Sequence, residues 1–228
     1  MKQIALDIGL STGPTLQNFF PGPNLPAYQH LCLWLGHGDA QTARSPVSTY
    51  LWGASGSGKT HLLKAVCEAL REQGGRVGWL DAGMQEPPAF SESWVAVALD
   101  DVHLYTAVQQ QAAFNWFVHA QTLQRAVLGT GDQPPAALPL RDDLRSRLGW
   151  GHVFRLAVLS EPERRAVLRQ AADERGIFLG DEVMDFMLTR FSRDLTSLME
   201  LLDLIDAYAL RTKRAITVPM IRAMMDES

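Results

Sequence analysis

The sequence predicts an α/β fold: a parallel sheet with helices on both faces, followed by a small all-helical region. Three observations predict it. Thr49-Tyr50-Leu51-Trp52 reads as a short apolar strand, and it runs into Gly53-Ala54-Ser55-Gly56-Ser57-Gly58-Lys59-Thr60, after which residues 61–66 open a helical pattern. Trp94-Val95-Ala96-Val97-Ala98-Leu99 is a continuous apolar run that stops at Asp100-Asp101, as a strand buried on both faces does. Beyond residue 159 the periodicity is helical to the end of the sequence.

The whole chain sets the bounds. Its 228 residues suffice for one good core plus a small appendage. Hydrophobic content of 46% and charged content of 20% are ordinary for a soluble globular protein. A net charge of −4 argues against an obligate duplex-DNA binder, although a local basic patch stays open. Cys32 and Cys67 form no C-x-x-C pair and have no histidine cluster nearby, which excludes a disulfide scaffold or zinc site as the organising principle. With no signal peptide and no membrane-length apolar run, the expected location is the cytoplasm.

From the N-terminus, Gln3-Ile4-Ala5-Leu6-Asp7-Ile8 alternates ahead of a Gly/Ser/Pro linker. It reads either as an edge strand or as a tethered ligand for a partner groove. Leu16 to Asn24 is a turn-rich apolar patch before a helix over 25–35, and residues 36–46 are a polar loop. The glycine-rich segment then fits G-x-x-x-x-G-K-[ST]. Its glycines let backbone N–H groups curl around a phosphate chain at a helix N-terminus, where anions are favoured. Ser55, Gly56, Ser57, Gly58, Lys59, Thr60 and His61 form the expected nucleotide-binding set, with Lys59 on the β/γ-phosphates and Thr60 on a magnesium ion. The competing reading is a Gly/Ser turn that contains Lys-Thr by chance; the strand before it and the helix after it argue otherwise.

The helix over 60–73 buries Leu62, Leu63, Val66 and Leu70, and Gly74-Gly75 ends it. Residues 76–80 are a short strand. The run ending at Asp100 delivers carboxylates to the sheet edge that carries the glycine-rich loop, so Asp100 is expected in the magnesium shell. Residues 109–123 read as a helix with Phe114, Phe117, Val118 and Leu123 inward. Ala126 to Asp132 is another apolar strand ending in small polar residues; Thr130 or Asp132 is expected to sense the γ-phosphate, or else to cap the following loop. After the break at Pro134-Pro135 come Leu144-Arg145-Ser146-Arg147-Leu148-Gly149-Trp150-Gly151 and a strand over 153–156. Arg147 could simply pair with Asp142 or Asp143. Ser160-Glu161-Pro162-Glu163 opens a helix to about residue 175, and residues 181–191, 194–212 and a short segment from Thr217 give further amphipathic helices. Arg193 heads the longest of these, a poor position for a cation unless an anion is bound there or Asp185 or Asp194 pairs with it.

The intact glycine-rich loop, Gly131-Asp132-Gln133-Pro134-Pro135 and Ser146-Arg147-Leu148-Gly149-Trp150-Gly151 together resemble the DnaA branch of the AAA+ ATPases. The resemblance implies a core over residues 15–158 with Walker A and Walker B motifs, and a helical lid over 159–228. It also implies that the Leu16 to Asn24 patch lies over the adenine. Asp101 stands where many members place a glutamate base, and its side chain reaches one methylene less far, so intrinsic hydrolysis is expected to be slow. By the same resemblance Arg147 is the finger that reaches a neighbouring subunit's nucleotide, an effect on the order of 10³–10⁵ in rate, and Arg193 is the lid arginine called sensor 2. Residues 1–14 resemble the peptide by which bacterial replication proteins hold the sliding clamp, with Gln3 in a polar pocket and Ile4, Leu6 and Ile8 as apolar contacts.

No helix-turn-helix segment follows the lid in this sequence, so no sequence-specific DNA binding is expected. A clamp peptide ahead of such a core resembles the Hda proteins, regulatory inactivators of DnaA. Asp143 agrees, since initiators carry an assembly arginine at that position; the intact loop departs, because Hda loops can be degenerate. The implied function is negative control of replication initiation: ADP (or ATP) with Mg2+ bound by this chain, the sliding clamp and DnaA as partners, self-association left open, and ATP hydrolysed by DnaA rather than quickly by this chain. The rival is a stand-alone AAA+ ATPase acting on nucleic acid, such as a helicase loader. A small-molecule kinase and a clamp adaptor with a vestigial nucleotide site are further alternatives.

Overall fold

The computed structural model describes residues 13–36, 44–190 and 195–226. Gln3, Ile4, Leu6, Ile8 and Arg193 lie outside the described residues. The chain divides into two compact units, Met1–Gly53 with Gly58–Leu156, and Ala54–Ser57 with Ala157–Ser228.

The first unit is built on five parallel strands, β1 (Thr49–Trp52), β2 (Arg76–Leu80), β3 (Trp94–Leu99), β4 (Ala126–Gly131) and β5 (His152–Arg155), in the order β2-β3-β4-β1-β5. Because side chains alternate across a strand, each strand supplies both faces. Tyr50, Val97, Leu99 and Val127 face one layer, with Ala113, Trp116 and Phe117 of α3 (Ala107–Thr122) and Leu144 and Leu148 of α4 (Asp142–Leu148). Leu51, Ala96, Ala98 and Leu128 face the other, with Ala27, Leu31 and Leu35 of α1 (Leu25–Leu35) and Leu62, Leu63, Val66 and Leu70 of α2 (Lys59–Glu72). The result is the three-layer α/β sandwich that the buried apolar runs predict.

Three local readings need correction. α3 starts at Ala107, two residues early, because Thr106 caps it: Gln109 N–H donates to Thr106 Oγ1 at 3.4 Å and Thr106 N–H donates to Gln109 Oε1 at 2.8 Å. Leu123 falls at the C-cap of this helix and is exposed, whereas Trp116 takes the inward place, its indole N–H donating to the Pro88 carbonyl at 3.0 Å. Residues 142–148, read without assigned structure, form α4, with Asp142 and Asp143 in the favourable first turn. Past α4, Gly151 begins the return to the sheet, and a Cβ there would lie 1.9 Å from the Ser48 carbonyl oxygen that accepts the His152 N–H. Only glycine lets β5 approach β1 at that point.

The second unit contains α5 (Glu161–Glu174), α6 (Asp181–Arg190), α7 (Leu195–Thr212) and α8 (Val218–Asp226). Glu163 accepts from both the Ser160 N–H and the Ser160 hydroxyl at 2.6 Å, and Gly176 follows α5 at φ +70°. Leu168, Met184, Met187, Leu198, Leu202, Ile205 and Ile221 form its core. Asp185 is held by Arg165 and Asp181 by Arg169, so α5 and α6 are joined by charge as well as by packing. No helix among the described residues is long and apolar enough to cross a membrane.

Candidate functional site

β1 ends at Trp52, and the glycine-rich loop begins with Gly53 tied to the sheet by its N–H donating to Gly131 O at 3.2 Å. Gly56 and Gly58 adopt φ +77° and +91°, a region that side chains with a Cβ rarely enter. At Gly58 a Cβ would also meet the Phe19 ring at 2.8 Å. Phe19 stacks on Tyr28 at 5.9 Å and leans on His61 at 5.5 Å, so the aromatic of the entry patch rests on the loop's C-terminal half. Lys59, buried, donates from Nζ to Gly53 O at 2.9 Å. Ser55 is exposed, and the buried Ser57 Oγ has no hydrogen-bond partner among the described residues. His61 donates from Nε2 to the Thr15 carbonyl at 3.1 Å, and burial lowers its pKa, leaving it neutral at pH 7. Its side chain therefore fastens the N-terminal segment to α2, and a contribution to ligand binding would come from its backbone N–H at the helix start.

Across the sheet edge, Asp100 is buried at the end of β3. Thr60 Oγ1 donates to Asp100 Oδ1 at 3.1 Å, and Thr130 Oγ1 donates to the same oxygen at 2.6 Å. Thr130 Oγ1 in turn accepts the Asp101 N–H at 2.8 Å. Burial holds the Asp100 carboxyl above its ordinary range; the Thr130 hydrogen bond opposes this, Asp101 adds to it, and Thr60 and Lys64 oppose it. Asp101 adopts the left-handed conformation at φ 48°, ψ 48°, which costs about 1 kcal/mol for a residue with a Cβ. The two sensor candidates separate clearly. Thr130 is bonded to Asp100 and to the Asp101 backbone, while Asp132 faces His103, with Nδ1 to Oδ1 at 3.8 Å. That is too long for a hydrogen bond, and both atoms are buried without a partner among the described residues. His103, on the short helical turn over 102–104, was missed from the sequence; the available signal was a polar side chain two residues after an acid pair.

Arg147 occupies the last turn of α4. Its Nη1 donates to Gln121 Oε1 at 3.0 Å, and its guanidinium lies 5.2 Å from the Phe114 ring, 6.0 Å from Phe117 and 5.1 Å from Trp150. The expected alternative, an ion pair with Asp142 or Asp143, is corrected by the geometry: Arg145 holds Asp142 at 2.5 Å and Arg141 holds Asp143 at 2.6 Å. Asp185 pairs with Arg165.

These residues fit a phosphate chain with a divalent cation. The donors at Gly58, Lys59 and the start of α2 suit the phosphates. Thr60 and Asp100 present two oxygens 3.1 Å apart, and a cation there would offset the burial of a carboxylate.

Residues 161–225 match the family described as Hda, lid domain. An uncharacterized protein of Haemophilus influenzae is 32% identical over 99% of both chains. Among solved structures, domain III of the Thermotoga maritima replication initiation protein DnaA superposes with a TM-score of 0.73 at 20% identity, over 93% of this chain and 95% of that one. AMPPCP-bound DnaA from Aquifex aeolicus gives 0.66 at 24% identity, over 87% of this chain and 66% of that one.

Proposed function

The chain belongs to the Hda/DnaA-related AAA+ proteins, and from that membership we propose that it is a negative regulator of replication initiation. In this reading it binds an adenine nucleotide, in the form of Mg2+-ADP, on residues Gly58 to His61, Asp100 and Thr130, docks on the DNA-loaded sliding clamp through Gln3, Ile4, Leu6 and Ile8, and inserts Arg147 into the nucleotide site of ATP-bound DnaA. A DnaA relative carrying AMPPCP supports the adenine nucleotide. The observation that carries the reading is the setting of Arg147: a guanidinium at a helix end, held by a neutral amide and ring faces while its neighbouring acids are paired elsewhere. Such a cation is available to a phosphate without first breaking an ion pair. Asp101, fixed in a left-handed turn with the shorter acid side chain, supports the view that this chain's own turnover is slow.

The deciding experiment is turnover of DnaA-bound ATP with and without this protein, clamp and DNA. Arg147→Ala should lower stimulated hydrolysis by about 10³-fold while leaving ADP and clamp binding intact. In the same assay Gln3→Ala with Leu6→Ala should remove the dependence on clamp. Full stimulation by the Arg147 variant would overturn the assignment.

A further inference from the structure

Among the described residues Arg147 pairs with no carboxylate, although two lie on its own short helix. Asp143 precedes it by four residues on α4, the spacing and order in which an acid and a base meet most favourably on a helix. That pair does not form. Arg141, just ahead of the helix, takes both oxygens of Asp143, with Nε to Oδ1 at 2.7 Å and Nη2 to Oδ2 at 2.6 Å. Arg141 is itself fixed from three directions: its backbone N–H donates to Gln110 Oε1 at 3.0 Å, its Nη1 donates to the Gln111 side chain, and its guanidinium lies 4.9 Å from the Phe114 ring. The Asp143 carboxyl is held below its ordinary range, first by the hydrogen bond from Arg141. Bidentate capture of a carboxylate by a fixed guanidinium is the strongest arrangement open to an exposed pair. Asp142 is paired through one oxygen with Arg145. Arg147 is then left with Gln121 Oε1 and the faces of Phe114 and Trp150.

We propose that Arg141 is a positioning residue for Arg147: by sequestering Asp143 it prevents the i, i+4 ion pair that would otherwise neutralise the finger. The inference rests on the reading of Arg147 as an arginine finger. Arg141 acts on the finger only through Asp143.

The test compares the full-length wild type with Arg141→Ala, Asp143→Asn and the double variant, in clamp- and DNA-dependent turnover of DnaA-bound ATP. Arg141→Ala should lower the maximal stimulated rate by about twofold, the size of a helical ion pair, with the half-saturating concentration unchanged. Adding Asp143→Asn should restore the rate, and Asp143→Asn alone should match wild type. A second readout is independent of DnaA: the NMR resonance of the Arg147 Nε–Hε group, shifted by the Phe114 and Trp150 rings, should move in Arg141→Ala and return in the double variant. A loss that Asp143→Asn does not reverse would overturn the proposal, as would an unchanged rate with an unmoved resonance. If Arg147→Ala keeps full stimulation, the finger reading fails, while the resonance series still decides whether Arg141 holds Asp143 away from Arg147.

Discussion

At the scale of single residues, the electrostatics of Asp100 set its proposed part in cation binding against stability. Burial raises the Asp100 carboxyl above its unfolded value, so the folded chain favours the neutral acid. The stability this contributes is present below the unfolded pKa, about 3.9, and is lost as pH rises through the raised folded value. At pH 7, well above the unfolded value, burial of this carboxyl therefore costs stability. Asp100→Asn keeps an oxygen to accept from Thr60 and Thr130 while removing that charge. The nucleotide-free variant should melt at a higher temperature than wild type at pH 7, and the gain should shrink as pH falls toward 4. Magnesium-dependent nucleotide binding should be lost at the same time. A lower melting temperature at pH 7 would mean that the two threonine hydrogen bonds outweigh the burial.

At the scale of elements, what was legible in the sequence follows the length of each pattern. The strand over 94–99 is six apolar residues ended by acids, and its bounds match β3, because a strand buried on both faces has no competing period. α2 announces itself through Leu62, Leu63, Val66 and Leu70, all buried. α4 was not legible: seven residues after a proline-rich break are too few to display a 3.6-residue period. The start of α3 was legible in principle, because Thr106 and Gln109 carry the same capping signature as Ser160 and Glu163. Asp100 and Thr60 meet as the spacing of their motifs implies, whereas the bond from Thr130 to Asp100 depends on side-chain directions along β4, and no spacing carries that. The α3 cap has a measurable weight, since this helix carries Phe114, Phe117 and Gln121 behind Arg147. Thr106→Ala should cost about 1 kcal/mol in urea unfolding, and Thr106→Ser should recover most of it.

At the scale of the molecule, the residues proposed to hold nucleotide are concentrated in one of the two compact units: Gly58, Lys59, Thr60, His61, Asp100 and Thr130 all belong to the sheet unit. So do all six tryptophans, Trp34, Trp52, Trp79, Trp94, Trp116 and Trp150, whereas α5 to α8 contain none. Tryptophan fluorescence therefore follows the unfolding of the sheet unit alone. A ligand that binds only the folded state stabilises it by RT ln(1 + [L]/Kd), about 2.7 kcal/mol at a hundredfold excess over Kd. For a protein of this size that is a rise of about 5–10 °C in melting temperature. ADP with magnesium should produce such a rise in the tryptophan signal, and chelating the magnesium should reduce it. Lys59→Ala should abolish it, because the loop then lacks the cation that meets the phosphates. If the tryptophan transition ignores ADP while the protein still accelerates hydrolysis by DnaA, the glycine-rich loop is a structural relic. Arg147 would then be presented by α3 and α4 without help from a bound nucleotide.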